Sequence, residues 1–297
     1  MTKDKKKMDN QNSTIVFLKS RSFTGKLSAS FKFINENFKV LFKFGSYILL
    51  PLSVILAALF LVWNHFSGEP SSLGYIISAI VIVLFSFAGG SLFYAFLFTC
   101  IKEYMQEGYI GNITLNKIKA LLIANFRKVL LSLVAVTLCM LLLIVLTVVL
   151  AMLSLYTLII MIPVLLFLYV PLIYLCYLFV LEDISFGKAV KDAFRIGVPT
   201  WSSAFGILLI SGLLAGIMQM IASAPWLLGI AADSFSQLAM LNGEPSSLPG
   251  YFNVMMFVFT VIAVYLSAFA EVLVIVSMAF QYYSEKARQA EKIVEMN

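Results

Sequence analysis

The chain has 297 residues, of which 61% are hydrophobic and only 12% charged, with a formal net charge of +6. A soluble domain holds about 25% charged residues, so this composition excludes an ordinary globular protein and points to a membrane. The basic residues flank apolar runs and form no single patch, so anionic lipid headgroups, and not nucleic acid, are the expected counter-charge.

Residues 1–21 read as a polar, basic N-terminal tail, and no short apolar stretch with a small-residue cleavage site follows closely. A cleaved secretory signal is not expected there. An amphipathic stretch comes next, with Phe23, Leu27, Phe31, Ile34, Phe38 and Leu41 at helical spacing and Lys26, Lys32, Glu36, Lys39 and Lys43 off the stripe. The first apolar run, 44–63, follows it. A run of 18 or more apolar residues reads as a transmembrane helix because about 20 are needed to cross the hydrocarbon core. After the word GEPSSL the second run occupies 73–101 and contains Gly89 and Gly90. A second amphipathic stretch, 114–127, presents Leu115, Ile118, Leu122 and Phe126 ahead of the third run, 129–153. Almost no polar residue separates that run from the fourth, 155–181, so the two form a tight helical hairpin; Pro163 and Pro171 should bend the fourth. The third amphipathic stretch, 185–195, carries Phe186, Val190 and Phe194. The fifth run, 201–230, holds Gly212 and Gly216 at GxxxG spacing, and the sixth spans 251–283. Residues 284–297 read as a C-terminal tail.

Every one of the 21 Lys and Arg residues falls in the N-terminal segment, the second-to-third or fourth-to-fifth connection, or the C-terminal tail. Basic residues near spans stay in the cytoplasm, which sets both termini inside and the protein in the cytoplasmic (inner) membrane. The fold expected is all-α and polytopic: six transmembrane helices in one domain, 22–283, each odd-numbered span preceded by a cytoplasmic interfacial amphipathic helix. Ser22, Thr114 and Ser185 stand where helix caps belong.

These stretches divide the chain into three units of one amphipathic helix and two spans, at about 22–103, 113–182 and 185–283. The first and third also share a word: residues 68–75 read GEPSSLGY and residues 243–251 read GEPSSLPGY. We read this as duplication, with the middle unit's outer loop shortened. All three units run in the same direction, unlike the inverted repeats of many secondary transporters. The word has a plain structural reading, a Gly-Pro turn followed by a serine cap. Its functional reading sets Glu69 and Glu244 together at an outer mouth.

Few residues offer chemistry. Glu271 is the acid that sits well inside an apolar run, some 30 Å along the sixth helix. An ionisable group within a span usually faces the interior and marks a pathway or a partner, although the length of this run also allows a position near the interface. Gly212, Gly216, Gly89 and Gly90 read as close helix contacts, and Gln219 as interhelical glue. The single histidine, His65, lies at a span end, and Cys100, Cys139 and Cys176 read as small hydrophobes. No spacing suits a metal, no acid pair shares a helix face at depth, and no phosphate or dinucleotide fingerprint is present. We therefore expect no enzyme and no cofactor.

The hydroxyl-led amphipathic helices, Ser22-Phe23-Thr24-Gly25-Lys26 and Ser185-Phe186-Gly187-Lys188, and the last span running into Tyr282-Tyr283-Ser284-Glu285-Lys286-Ala287-Arg288, give the chain a family likeness over most of residues 20–290. It resembles the membrane domain attached to some bacterial glycerophosphodiester phosphodiesterases and free-standing relatives of that domain. The resemblance implies the six-span fold alone, since no catalytic domain follows before Asn297. Two functions fit. One is a non-enzymatic membrane component that binds lipid, a membrane-protein partner or a second copy through Phe23, Phe31, Phe38, Phe186 and Phe194. The other is a small-molecule or ion permease that uses Glu271.

Overall fold

In hydrocarbon an α-helix satisfies all of its own backbone groups, so each apolar run folds as one. A computed structural model describes residues 15–66, 71–111, 113–243 and 248–296, and Glu69 and Glu244 lie outside that set. The helices are α1 (Phe23–His65), α2 (Leu73–Glu107), α3 (Leu115–Leu153), α4 (Leu158–Leu181), α5 (Phe186–Gly197), α6 (Trp201–Leu241) and α7 (Phe252–Met296). All except α5 contain a stretch long and apolar enough to cross a membrane, and no strand occurs among the described residues. The protein is thus all-α with six candidate spans. The α3–α4 hairpin turns through Ser154 and one 3₁₀ turn, Leu155–Thr157, as its shortage of polar residues requires.

Two of the three amphipathic stretches are not separate helices. The first continues into its span as α1, 43 residues and about 64 Å long, roughly twice the hydrocarbon thickness. The second continues into α3, 39 residues. Only the third is distinct, as α5. The reason is local: Gly197 ends α5 and Pro199 lies between α5 and α6, whereas neither junction before α1's nor α3's apolar run contains a proline or a run of turn formers. The expected caps do form at Ser22, whose Oγ accepts from the Gly25 amide at 3.2 Å, at Ser72 from Tyr75 at 3.2 Å, and at Thr114 from Lys117 at 3.4 Å. Ser185 occupies the cap position of α5 without such a bond.

Helix α7 packs most extensively against α6 and α1, and the remaining contacts follow chain order from α1 through α5. Helices α4 and α6 touch only sparsely. The core gathers at the end that carries the charged residues, where Phe33, Phe96, Cys100, Tyr174, Val180 and Phe280 are each fully enclosed. Towards the other end the helices splay and expose apolar side chains such as Leu142, Met152, Ile159 and Leu228. That surface has the apolarity of lipid tails, so a membrane leaves it without cost.

Described parts of the two segments read from the sequence as tails reach into this core. Ile15 and Phe17 are buried, and α7 runs past Tyr283 with Ser284 and Glu285 enclosed. Three of the four glycines assigned to helix contacts are also reassigned. A Cβ built on Gly90, Gly212 or Gly216 would meet nothing within 4 Å, so no helix crowds them. Only Gly89 sits against a neighbour, the Leu52 side chain of α1. The small residues that admit a neighbouring element to α6 are instead Ala204, Ser211 and Ala215, all buried.

The closest backbone approach is at Gly197, where a Cβ would come within 2.8 Å of the Pro171 Cα. Helix α5 therefore docks on α4 beside Pro171, one of that helix's two internal prolines. Gly197→Ala should lower thermal stability by about 1–3 kcal/mol through this overlap. Gly187→Ala, on the same helix with open space at its Cβ, should leave stability unchanged or raise it by up to ~1 kcal/mol. Equal melting temperatures for the two variants in detergent would remove the close-approach argument.

Candidate functional site

At the charged end, α1 turns an unexpected face inward. Lys26, Ser30, Phe33, Asn37, Leu41 and Phe44 are buried, while Phe23, Phe31 and Phe38 point outward at 40%, 49% and 54% exposure. Lys26 is 1% exposed and donates from Nζ to Glu285 Oε1 at 2.8 Å, to Gln281 Oε1 at 2.7 Å and to Ser203 Oγ at 3.1 Å. Glu285 also receives Arg288 at 3.2 Å, and Arg288 donates back to the Arg21 carbonyl at 3.4 Å. The Arg21 amide donates to Ser284 Oγ at 2.9 Å. Burial holds the Arg21 guanidinium below its ordinary value, by desolvation. One ion pair thus ties α1, α6 and α7 together, and its hydrogen bonds satisfy three donors of an otherwise costly buried ammonium.

Beside it, residues 15–21 fold back over the bundle. The Phe17 ring stacks on Phe280 at 4.2 Å and meets Phe33, Tyr104 and Tyr283 edge-on. The Ile15 amide donates to Tyr104 Oη at 3.1 Å, and Arg21 donates to the carbonyls of Val16, Phe17 and Lys19. More exposed ion pairs link the other elements: Lys117 with Glu103 and Glu107, Lys128 with Asp183, and Lys286 with Glu182. Each adds little individually, since water competes for both partners.

Deeper in the bundle, Glu271 is half-buried and accepts from Gln219 Nε2 at 2.6 Å. Gln219, read as interhelical glue, does join α6 to α7, and its same nitrogen lies 3.4 Å from the Ser267 carbonyl. Among the described residues no cation pairs with Glu271. The carboxylate borders a cavity of about 250 Å³ whose wall includes Tyr94, Tyr169, Cys176, Tyr177 and Leu208. Apart from Glu271, its polar lining consists of tyrosine hydroxyls and one thiol.

The remaining sequence candidates scatter. Phe186 packs on Phe179 at 5.4 Å against the core, while Phe194 is 38% exposed on α5. Gly212 and Gly216 line an open groove between α4 and α6. Hydropathy could not find Lys26, Gln281 and Glu285, because a buried polar residue looks like a solvent-facing one in a pattern. The one available signal was a basic residue at a position flanked at helical spacing by Ser30, Phe33 and Asn37, too polar a stripe to be read as a core face. Comparison with protein-family models, with curated proteins and with solved structures finds no match to this chain.

Proposed function

We propose that this protein is a non-enzymatic component of the cytoplasmic membrane, with both termini inside, that binds anionic lipid through the aromatic and basic face of α1. One observation carries the reading: Phe23, Phe31 and Phe38 are exposed on a helix whose opposite face is pinned by the Lys26 network, with Lys32, Lys39 and Lys43 solvent-facing beside them. Exposed phenylalanines interleaved with lysines suit the boundary between acyl chains and anionic headgroups. Phe194 on α5, beside the exposed Lys188, extends the same chemistry. The structural units read as repeats, each entering from the cytoplasm, fit this reading because every amphipathic stretch then opens at the same leaflet.

The permease reading draws on the Glu271 cavity. Its mostly apolar wall offers a polar solute few ligands, so we rank it second.

The test is the triple change Phe23→Ser, Phe31→Ser and Phe38→Ser, in nanodiscs of mixed phosphatidylethanolamine and phosphatidylglycerol. All three side chains are exposed, so the fold should persist. Native mass spectrometry should show phosphatidylglycerol retention on the variant reduced by about tenfold, the loss of ~1.4 kcal/mol or more of apolar burial. Unchanged retention would sink the proposal.

A further inference from the structure

The six long helices nearly close into a ring, and the sparse contact between α4 and α6 leaves one seam. A groove of about 500 Å³ runs along it, lined by Leu166, Tyr169, Leu208, Gly212, Gly216 and Met220 among others. Its floor is open because neither glycine has a neighbour within 4 Å of its Cβ position. Tyr169 and Leu208 belong to both the groove and the Glu271 cavity, so the two voids adjoin, one open at the bundle's outer surface and the other bordered by the carboxylate.

The two voids differ in chemistry. The groove is almost wholly apolar, and its size is that of a ligand site. The cavity beyond it holds an acid whose one hydrogen-bond donor among the described residues is the neutral Gln219 amide. A carboxylate with apolar walls and no cation attracts a positive partner and repels a negative one. No Lys or Arg lines either void, so a phosphate or carboxylate head would find no counter-charge.

We propose that the α4–α6 seam admits a single-chain amphiphile with a protonated amine head, its tail lying along Gly212 and Gly216 and its ammonium donating to Glu271. The three cavity tyrosines, Tyr94, Tyr169 and Tyr177, supply the aromatic surface that suits an ammonium. This site is separate from the aromatic and basic face of α1 and stands whether or not that face binds lipid.

The experiment uses the full chain in phosphatidylcholine nanodiscs, titrated with dodecylamine, dodecanol and dodecanoate, with empty nanodiscs subtracted for partitioning. The wild-type protein should bind the amine about tenfold more tightly than the alcohol, and dodecanoate more weakly than either. Glu271→Gln keeps the shape and removes the charge, and should abolish the amine preference while leaving dodecanol binding unchanged. Gly212→Leu and Gly216→Leu fill the groove at positions with room for a side chain, and each should weaken amine and alcohol together by about fivefold or more. The proposal fails if wild type shows no amine preference, if Glu271→Gln retains it, if dodecanoate competes equally, or if both groove variants bind as wild type does. Phe23→Ser, Phe31→Ser and Phe38→Ser together should leave the amine preference intact, which separates this site from the α1 face.

Discussion

Glu285→Ala should cost the folded bundle about 3–5 kcal/mol, the largest effect expected of any single charged substitution in this chain. It strips the counter-charge from Lys26, which is 1% exposed and would keep only the neutral oxygens of Gln281 and Ser203. Lys26→Met should cost less, about 1–3 kcal/mol, because Glu285 would still hold Arg288 at 3.2 Å. The asymmetry follows from where the second partners lie: Arg288 is part-exposed and can serve Glu285 alone, while no second acid reaches Lys26. Replacing both at once, Lys26→Met with Glu285→Ala, removes two desolvated charges together and should cost less than the sum of the two single changes. Thermal unfolding in detergent across the four proteins gives the coupling energy directly. Strictly additive costs would mean that the pair, though close, contributes no interaction of its own.

That pair also shows why parts of this protein were readable from its sequence and others were not. Six spans are legible because burial in lipid needs about 20 apolar residues in a row, a signal that no packing detail can erase. Where a helix stops is a weaker signal. Gly197 and Pro199 do mark the end of α5, and the lack of comparable breakers before residues 44 and 129 was equally available, yet the change from amphipathic to apolar pattern suggested boundaries that the backbone does not have. Lys26 was misjudged for another reason. Position off an apolar stripe normally means solvent, and its partner is 259 residues away. The GxxxG spacing of Gly212 and Gly216 reports only that a helix face is smooth. Which neighbour, if any, uses that face is decided by the path of the whole chain, and here α6 offers Ser211 and Ala215 to the bundle instead. The candidate acids divide in the same way: Glu271 was found because a charge in an apolar run is conspicuous, whereas Glu285, directly before Lys286 in a charged word, looked like tail.

The segment before α1 provides the second large effect. Phe17→Ala should lower stability by about 3–5 kcal/mol, the cost of removing an aromatic side chain from a closed core. Phe17 is 3% exposed and surrounded by four aromatic rings, and residues 15–18 alternate between buried and exposed as an extended strand of chain does. Val16 is therefore the matched control. At 56% exposure it makes no such contacts, and Val16→Ala should change stability by less than ~0.5 kcal/mol. Phe17→Leu should fall between, since it keeps apolar volume but loses the stack on Phe280 at 4.2 Å. The comparison is informative because adjacent residues share every long-range property of a charged, membrane-proximal tail but face opposite ways, and Phe17→Leu narrows the difference in side-chain size. If Phe17→Ala and Val16→Ala melt together, residues 15–21 contribute nothing to the core and the tail reading returns. A large gap between them makes this segment part of the fold, held over α2 and α7 by Phe17 and fastened by Arg21 beside the Lys26 network.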